Sequence, residues 1–332
     1  MAFKKVVKTL INMRNITVSI VVPIYNAQTF LDSTIRSIVT QTITDFELIL
    51  VNDGSIDSSD EICRKWREKD ARVKYICQTN AGVTAARAKG VSLALGEWIM
   101  FCDADDILPN NALELLLKYS ENNDIIIGKI KFIANEKDCK IIKEDYDVTT
   151  VSNIVFMQQL LDNSIPLLPS PCARLYKKCL FSEKTFDIPR SIVRGEDFIM
   201  NFHYAINAKS ICYINNIVYY YRQHIASTMH TFKNSWEYEK LFLSKLLSPV
   251  QQYKEYHELR PYIIKCIIRS LGNAYHDPIL QRNSEDFVNI CVEARTVPLD
   301  LLEKITLTLI YFPPKLRFFL YRAIRRILSY SR

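Results

Sequence analysis

Three carboxylates follow a short apolar run in the first third of the chain. The run is Trp98 to Cys102, and Asp103, Asp105 and Asp106 come directly after it. A continuous apolar run of this kind predicts a strand that is buried on both faces. Carboxylates crowded at the end of such a strand repel one another and lose solvation, so they favour a bound cation. Hard oxygen ligands without a neighbouring His or Cys suit Mg²⁺ or Mn²⁺, which commonly join protein carboxylates to a substrate diphosphate.

Asp103 and Asp105 form the predicted metal site. In extended backbone their side chains would point the same way, because side chains alternate along a strand. The structural alternative is an acidic turn in which Asp106 caps a helix that follows Pro109. The position after a buried strand, together with polar residues at other strand ends, favours the metal site.

Strands and helices alternate along the first third of the chain. Predicted strands cover 17–24, 46–51, 73–77 and 98–102, and helical spacing of apolar residues separates them. This order predicts a doubly wound α/β domain with a mostly parallel sheet. Ligands of such sheets bind outside the carboxyl ends of the strands. The residues at those ends are Tyr25, Asn26, Asp53, Asn80, Gly82, Asp103 and Asp105.

The rest of the chain predicts a second kind of architecture. Further strands are predicted at 124–128, 131–134, 172–177 and 218–221, and helices at 153–161 and 196–208. From about residue 234 the pattern is helical only, with breaks at Pro249, Pro261, Pro278, Pro298 and Pro313 to Pro314. We therefore predict a basic lead-in over 1–15, an α/β domain over 16–230 and a helical domain over 231–332.

The charge of the chain is concentrated at its ends. The net charge is +7, yet residues 304–332 alone hold seven Lys or Arg and no acid, and residues 1–15 hold four and no acid. The region between is slightly acidic, which argues against a nucleic-acid-binding face. Basic ends favour contact with an anionic membrane surface.

Several features predict a cytoplasmic protein. The apolar stretches fall short of the roughly 18 residues that span a bilayer. Lys8 and Arg14 interrupt the apolar residues that a signal peptide would need. The nine cysteines include no C-x-x-C pair, and most lie in apolar runs, which indicates reduced thiols.

The helix predicted over 315–329 is amphipathic. One side carries Leu316, Leu320, Ala323, Ile324 and Ile327, and Arg322, Arg325 and Arg326 fall opposite. This interfacial pattern predicts peripheral contact with the inner face of the cell membrane. The alternatives are a helix docked on the body of the protein and a homodimer contact.

Five segments resemble the family 2 glycosyltransferases with the GT-A fold, inverting enzymes that use nucleotide-activated sugars. They are VSIVVPIYN (18–26), VNDGSIDSS (51–59), the N-A-G turn with AARAKG (80–90), GEWIMFCDADD (96–106) and GEDF (195–198). Each segment is weak alone, but their order and intervals are specific, and together they cover roughly residues 17–230. The bacterial enzymes that build capsule, exopolysaccharide or wall glycans are the most similar members.

The resemblance implies a UDP-sugar donor. Residues that match the family's donor positions by sequence are Pro23, Tyr25 and Asp53 around the uracil and ribose, and Arg87 near the donor. Asp105 matches the direct metal ligand of the D-x-D motif, and Asp103 a position nearer the ribose. The implied cofactor, Mn²⁺ or Mg²⁺, would neutralise the leaving diphosphate.

The resemblance also implies the catalytic residues. Glu196 and Asp197 match an acidic pair whose second member is the general base. An inverting transfer needs one carboxylate to take the proton of the acceptor hydroxyl as that oxygen attacks the anomeric carbon. An acidic first turn that stabilises its own helix is the alternative. Arg222 and His224 match a basic segment over the diphosphate, where His224 could also ligate the metal.

The leading hypothesis is a metal-dependent inverting transferase that moves a hexosyl or N-acetylhexosaminyl group to a glycan or lipid-linked acceptor at the cytoplasmic membrane face. Two alternatives are a nucleotidyltransferase that makes the nucleotide sugar and a non-catalytic nucleotide- or glycan-binding partner of another transferase. The segment after Ile24 lacks the Gly-rich basic loop typical of the first alternative. The sequence contains no G-x-G-x-x-G after the first strand and no G-x-x-x-x-G-K-[ST], which disfavours dehydrogenases and P-loop enzymes.

Overall fold

The structure is a computed structural model that describes residues 16–139, 147–164, 170–223, 234–250 and 253–330. The strands in these residues are β1 (Val18–Ile24), β2 (Phe46–Asn52), β3 (Val73–Cys77), β4 (Trp98–Phe101), β5 (Ile125–Ile133), β6 (Val148–Ser152), β7 (Arg174–Lys177) and β8 (Ser210–Arg222). The α-helices are α1 (Leu31–Val39), α2 (Ser59–Lys69), α3 (Val83–Leu93), α4 (Ala112–Leu117), α5 (Asn153–Asp162), α6 (Glu196–Ala205), α7 (Trp236–Leu247), α8 (Tyr256–Asn273), α9 (Glu285–Ala294), α10 (Leu301–Leu309) and α11 (Pro314–Tyr330).

The described strands form one sheet in the order β3-β2-β1-β4-β7-β5-β8-β6. The first four strands in this order pair in parallel, β5 also pairs in parallel with β8, and β7 and β6 pair antiparallel with their neighbours. All residues of β1, β2 and β4 are buried, as near-continuous apolar runs require when helices cover both faces of a sheet. The predicted mostly parallel α/β sheet is confirmed.

Pro23 lies inside β1 without costing a hydrogen bond. Asp53 N–H, after β2, donates to the carbonyl of Ile24, and Cys102 N–H, after β4, donates to the carbonyl of Val21. The backbone groups of successive β1 residues therefore point alternately towards β2 and towards β4. Pro23 therefore faces the β4 side, where pairing has already ended at Val21. A residue that lacks an N–H is tolerated at such a position. The prediction that pairing stops at Pro23 holds on the β4 side only, because β2 stays in register through Ile24.

Three strand predictions are wrong in detail. The segments 124–128 and 131–134 form a single strand, β5, whose register against β8 shifts on either side of Lys129. The predicted strand 218–221 is only the end of β8. β6 was not predicted, because its sequence VTTVS is mostly exposed at the edge of the sheet and lacks the apolar run of a core strand.

The chain divides into two compact units that interleave along the sequence. The first unit comprises 1–152, 170–186 and 207–225, and the second comprises 153–169, 187–206 and 226–332. Within the described part of the second unit, the predicted helical pattern after residue 234 is present. The predicted domain boundary at residue 231 stays a prediction, because the units do not follow one another along the chain.

Pro261 does not break a helix, contrary to the prediction, and lies in the first half of α8. Proline cannot donate to the carbonyl four residues earlier, here that of His257. His257 is exposed, so water can take the bond that proline leaves unmade.

The last helix, α11, docks on the helical core of the second unit. Tyr321 packs against Gly272, and Arg317 donates to the carbonyls of Tyr275 and Asp277, both at 2.7 Å. Docking was one of the sequence alternatives. The predicted apolar residues differ in exposure: Leu320 and Ile324 are half-buried, whereas Leu316 and Ile327 are exposed, as is the neighbouring Phe319. Within the described ranges, no helix is long and apolar enough to cross a membrane.

Candidate active site

The acidic segment after β4 forms a turn. β4 ends at Phe101, and Asp106 N–H donates to the carbonyl of Asp103 at 3.2 Å. The prediction that Asp103 and Asp105 share a face of extended backbone is therefore wrong. Both side chains are nevertheless partly exposed within one turn at the carboxyl edge of the sheet, whereas Asp106 is buried.

Asp106 joins this turn to the end of β8. Its carboxyl accepts hydrogen bonds from Tyr219 Oη at 2.6 Å and from the backbone N–H of Arg222 at 2.8 Å. Tyr219 Oη in turn accepts from Asp103 N–H at 3.0 Å. Burial, and then the charges of Asp103 and Asp105, raise the pKa of Asp106 to about 8, so the acid is mostly protonated at neutral pH. Asp106 does not cap the next helix, because the residue at the cap of α4 is Asn111.

Asp53 is buried and holds the turn before α3. Its two carboxylate oxygens accept from Ala81 N–H, Gly82 N–H and Gln78 Nε2, each at 2.8 Å. A carboxylate has about four acceptor positions, so these three bonds among the described residues leave one position for a ligand. Gly82, at φ +95°, supplies the left-handed backbone conformation that this turn requires.

The loops after β1, β2 and β3 contact one another. Asn26 N–H donates to Ser55 Oγ at 3.0 Å, and Asn26 Oδ1 accepts from Ile56 N–H at 2.9 Å. Gly54, in the same loop, lies so close to Asn80 that an added Cβ would come within 2.9 Å of the Asn80 nitrogen. Next to Asn26, the Tyr25 side chain is 54% exposed. An exposed aromatic ring on a fixed loop can cover the face of a nucleobase.

Two buried arginines reach the same edge of the sheet. Arg87 on α3 lies 3.2 Å from Asp103 Oδ1. Arg222 at the end of β8 donates to Ser33 Oγ at 3.1 Å, pairs with Glu136 at 3.2 Å and lies over the Phe30 ring. Guanidinium groups fixed in this way suit recognition of phosphate oxygens.

The acidic turn fits a divalent cation that arrives with a diphosphate. Among the described residues, no three His, Cys, Asp or Glu side chains converge to form a closed metal site. Mg²⁺ is usually held by one or two carboxylates together with substrate phosphates and water, so Asp103 and Asp105 are a sufficient protein contribution. His224, the third predicted ligand, lies outside the described residues.

The acidic pair belongs to the second unit, where Glu196 and Asp197 open helix α6. The residue before them, Gly195, has φ +92°, which an L side chain rarely adopts. The Asp197 carbonyl accepts from Asn201 Nδ2 at 2.9 Å in the first turns of the helix. The predicted acidic first turn is therefore present, as the helix dipole favours.

The structure brings together at one edge of the first unit the predicted residues Pro23, Tyr25, Asn26, Asp53, Asn80, Gly82, Arg87, Asp103, Asp105 and Arg222. Sequence reasoning missed Tyr219 and Gln78, which hold this edge together. Tyr219 stands in the aromatic run YYYR, where no spacing distinguishes it from its neighbours. Gln78 follows β3 directly, so its place at a strand end was an available signal.

Known relatives identify the family. The model of Glycosyl transferase family 2 matches residues 19–183. The glycosyltransferase GlyG of Streptococcus pneumoniae serotype 4 is 34% identical over 232 residues, which cover 66% of this chain and 75% of GlyG. GlyA of the same organism is 32% identical over 229 residues, which cover 66% of this chain but only 32% of GlyA, so the match spans about a third of that relative. The chain belongs to glycosyl transferase family 2.

The fold has a solved counterpart in S. aureus TarS 1–349, crystallised in complex with UDP-GlcNAc. The TM-score is 0.62 at 18% sequence identity, over 88% of this chain and 78% of TarS. The predicted GT-A fold is confirmed. The family match ends at residue 183, so the predicted roles of Glu196, Asp197 and Arg222 rest on their sequence motifs and not on this match.

Proposed function

We propose that the protein is a metal-dependent inverting glycosyltransferase that uses a UDP-sugar. It transfers a hexosyl or N-acetylhexosaminyl group to a glycan or lipid-linked acceptor in cell-surface polysaccharide synthesis. The observation that carries the proposal is the set of strand-end loops held together at one edge of the sheet, with an exposed aromatic ring, two carboxylates and buried arginines. The similarity in fold to TarS, which was crystallised with UDP-GlcNAc, supports the choice of donor.

The first unit binds the nucleotide. The Tyr25 ring covers the face of the uracil, and Pro23 at the end of β1 forms part of the wall beside it. Asp53, fixed by three hydrogen bonds, uses its remaining acceptor position for the N–H edge of the base. Because the acceptor is buried and already oriented, little entropy is lost when the base binds.

The acidic turn and the arginines bind the diphosphate. Asp105 and Asp103 would hold Mn²⁺ or Mg²⁺, which stabilises the negative charge of the departing UDP. Arg222 donates to the phosphate oxygens from the end of β8. Arg87 holds Asp103 in place through their 3.2 Å ion pair.

The acidic pair acts on the acceptor. Asp197 takes the proton from the acceptor hydroxyl while that oxygen forms its bond to the anomeric carbon, and the bond to the UDP oxygen breaks on the opposite face. Glu196 orients the acceptor. The anomeric configuration is therefore inverted.

The outer face of α11 supports a place at the inner face of the cell membrane. Leu316, Phe319 and Ile327 are 43%, 68% and 67% exposed, and Lys315 and Arg322 are exposed beside them. Apolar side chains flanked by cations suit the headgroup region of an anionic bilayer. We expect flotation with phosphatidylglycerol vesicles and not with neutral vesicles, and loss of flotation in Phe319→Ser/Ile327→Ser. A concentration-dependent dimer abolished by the same change would favour a second copy as the partner.

The proposed activity is tested with the purified full chain and a panel of UDP-sugars and acceptors. We expect UDP release that requires Mn²⁺ or Mg²⁺ and stops with EDTA. Release of pyrophosphate from UTP and a sugar phosphate would instead indicate a nucleotidyltransferase. Tight UDP binding without turnover of any donor would indicate the non-catalytic alternative.

A further inference from the structure

The main chain just before the acidic pair is held by one side chain from a distant helix. Arg194 N–H donates to Tyr238 Oη at 2.9 Å, and Tyr238 Oη donates to the Arg194 carbonyl at 2.8 Å, across 44 residues of sequence. A single phenol thus binds both main-chain groups of one residue. Two hydrogen bonds to the same residue restrict the rotation of its backbone more than either bond alone.

The same helix contacts the next residue of the turn. Gly195 lies against Phe242, and a Cβ added to the glycine would come within 2.8 Å of the Phe242 ring. Phe242 also packs on Phe198, with ring centroids 6.0 Å apart. Tyr238 and Phe242 are four residues apart on α7, so they lie on one face of that helix. One face of α7 therefore contacts the chain on both sides of Glu196 and Asp197.

Helix α7 is itself firmly anchored in the second unit. Ser235 Oγ caps its first turn by accepting from Tyr238 N–H at 3.1 Å. Trp236 donates its backbone N–H to Asp277 at 2.9 Å and its ring N–H to Asp286 at 2.8 Å. A phenol presented by a helix fixed in this way is a rigid support for the turn that it binds.

The phenol of Tyr238 remains a hydrogen-bond donor at neutral pH. Partial burial, the largest cause, and the charge of Glu196 raise its pKa, although its hydrogen bond with Arg194 opposes them.

We infer that Tyr238 is the positioning residue for the acidic pair, and that α7 sets the geometry of proton removal. This inference rests on the proposed role of Asp197 as general base. Misplacing a general base by a fraction of an ångström lowers the rate of the chemical step without affecting binding of the nucleotide. Tyr238 touches neither donor nor acceptor in this account and acts through the backbone of Arg194.

The test compares Tyr238→Phe with Tyr253→Phe. Both changes remove one phenol oxygen from the second unit, but the Tyr253 phenol binds a different partner, accepting from Asn153 Nδ2 at 2.9 Å. We expect Tyr238→Phe to lower kcat about tenfold, with KM for the UDP-sugar and UDP affinity unchanged. We expect Tyr253→Phe to keep the wild-type kcat at a similar melting temperature.

A double-mutant cycle separates positioning from general loosening. In an Asp197→Glu background, whose base is already displaced, Tyr238→Phe should cause less than a twofold further loss. An equal tenfold loss in both backgrounds, equal losses in the two phenylalanine variants, or a wild-type kcat in Tyr238→Phe would overturn the inference. An active Asp197→Asn enzyme would instead refute the proposed base, whatever Tyr238→Phe does.

Discussion

The two units present their polar residues in different ways. In the first unit, candidate donor residues such as Asn26 and Asp53 follow neighbouring strands, and their side chains bind the backbone of the loops beside them. In the second unit, the acidic pair opens a helix, and the turn before it is held by α7. The first arrangement follows from the parallel sheet itself, because strand ends meet at one edge. The second depends on a tertiary contact made later in the chain.

The chemistry of donors and acceptors explains this difference between the units. A nucleotide is similar in every UDP-sugar, so a site that the sheet fixes in advance suits it. Acceptors vary, and a helix packed against another helix can be replaced or shifted without disturbing the sheet. We therefore expect changes in the first unit to affect donor binding and metal use, and changes around α6 and α7 to affect the chemical step.

The largest effect in the first unit should come from Asp105→Asn. Loss of a carboxylate of the proposed metal site should lower kcat about a thousandfold, or ~4 kcal/mol of transition-state stabilisation. UDP release at saturating Mn²⁺ measures this effect. The matched control is Asp70→Asn, because Asp70 is an acid that directly follows α2 and pairs with Arg72 at 2.7 Å. Its kcat should stay within twofold of the wild-type value. Near-normal activity in Asp105→Asn would remove the proposed metal site.

A pair of glycine changes compares the two units directly. Gly54 and Gly195 both have positive φ, and an added Cβ would lie 2.9 Å from Asn80 N or 2.8 Å from the Phe242 ring, respectively. Strain of about 1–3 kcal/mol corresponds to roughly five- to 150-fold effects. We expect Gly54→Ala to raise the donor KM and Gly195→Ala to lower kcat.

The same kinetic measurements decide whether the two units have separate roles. If both glycine variants changed the same parameter, the division between donor binding and chemistry would be wrong. Restoration of kcat by Phe242→Leu in the Gly195→Ala background would locate the effect at this contact.

Asp106→Asn should have a mild effect on kcat although Asp106 neighbours the proposed metal site. Burial is the largest cause of the raised pKa of Asp106, so a neutral amide suits the same buried position, and kcat at pH 7 should fall less than threefold. The raised folded-state pKa also means that the wild type loses stability as pH rises from about 4 towards about 8. In EDTA, the melting temperature of Asp106→Asn should therefore rise relative to that of the wild type over this pH range. A constant difference would refute the assignment.

The smallest effect on activity is expected for Glu47→Gln in β2. Burial raises the pKa of Glu47, but hydrogen bonds from Lys74, Ser19 and Leu95 N–H outweigh burial and leave the pKa lowered. The stability it contributes is present above its ordinary pKa and is lost as pH falls through the lowered value. We expect about 1.5–3 kcal/mol of destabilisation at pH 7, less at pH 4, and an unchanged kcat. A kcat defect would extend the active site beyond the edge described.

The sequence predicted the first unit better than the second. Runs such as Val18 to Ile24 carry their own strand signal, and the residues that follow them must share an edge. The turn at Asp103 was predicted as extended because its closure depends on Tyr219, which lies 116 residues away. The support from Tyr238 had no local signal either, since a tyrosine at helical spacing looks the same whether it packs or binds a backbone. Likewise, the buried face of α11 was set by its partner helix and not by its own periodicity.

The most direct test of the account is the Asp197→Asn variant, assayed for UDP affinity and for UDP release with a competent donor and acceptor. The account predicts UDP affinity within twofold of the wild type and at least a thousandfold lower turnover, because only the proton acceptor is removed. Turnover close to that of the wild type would contradict the central claim that Asp197 is the base.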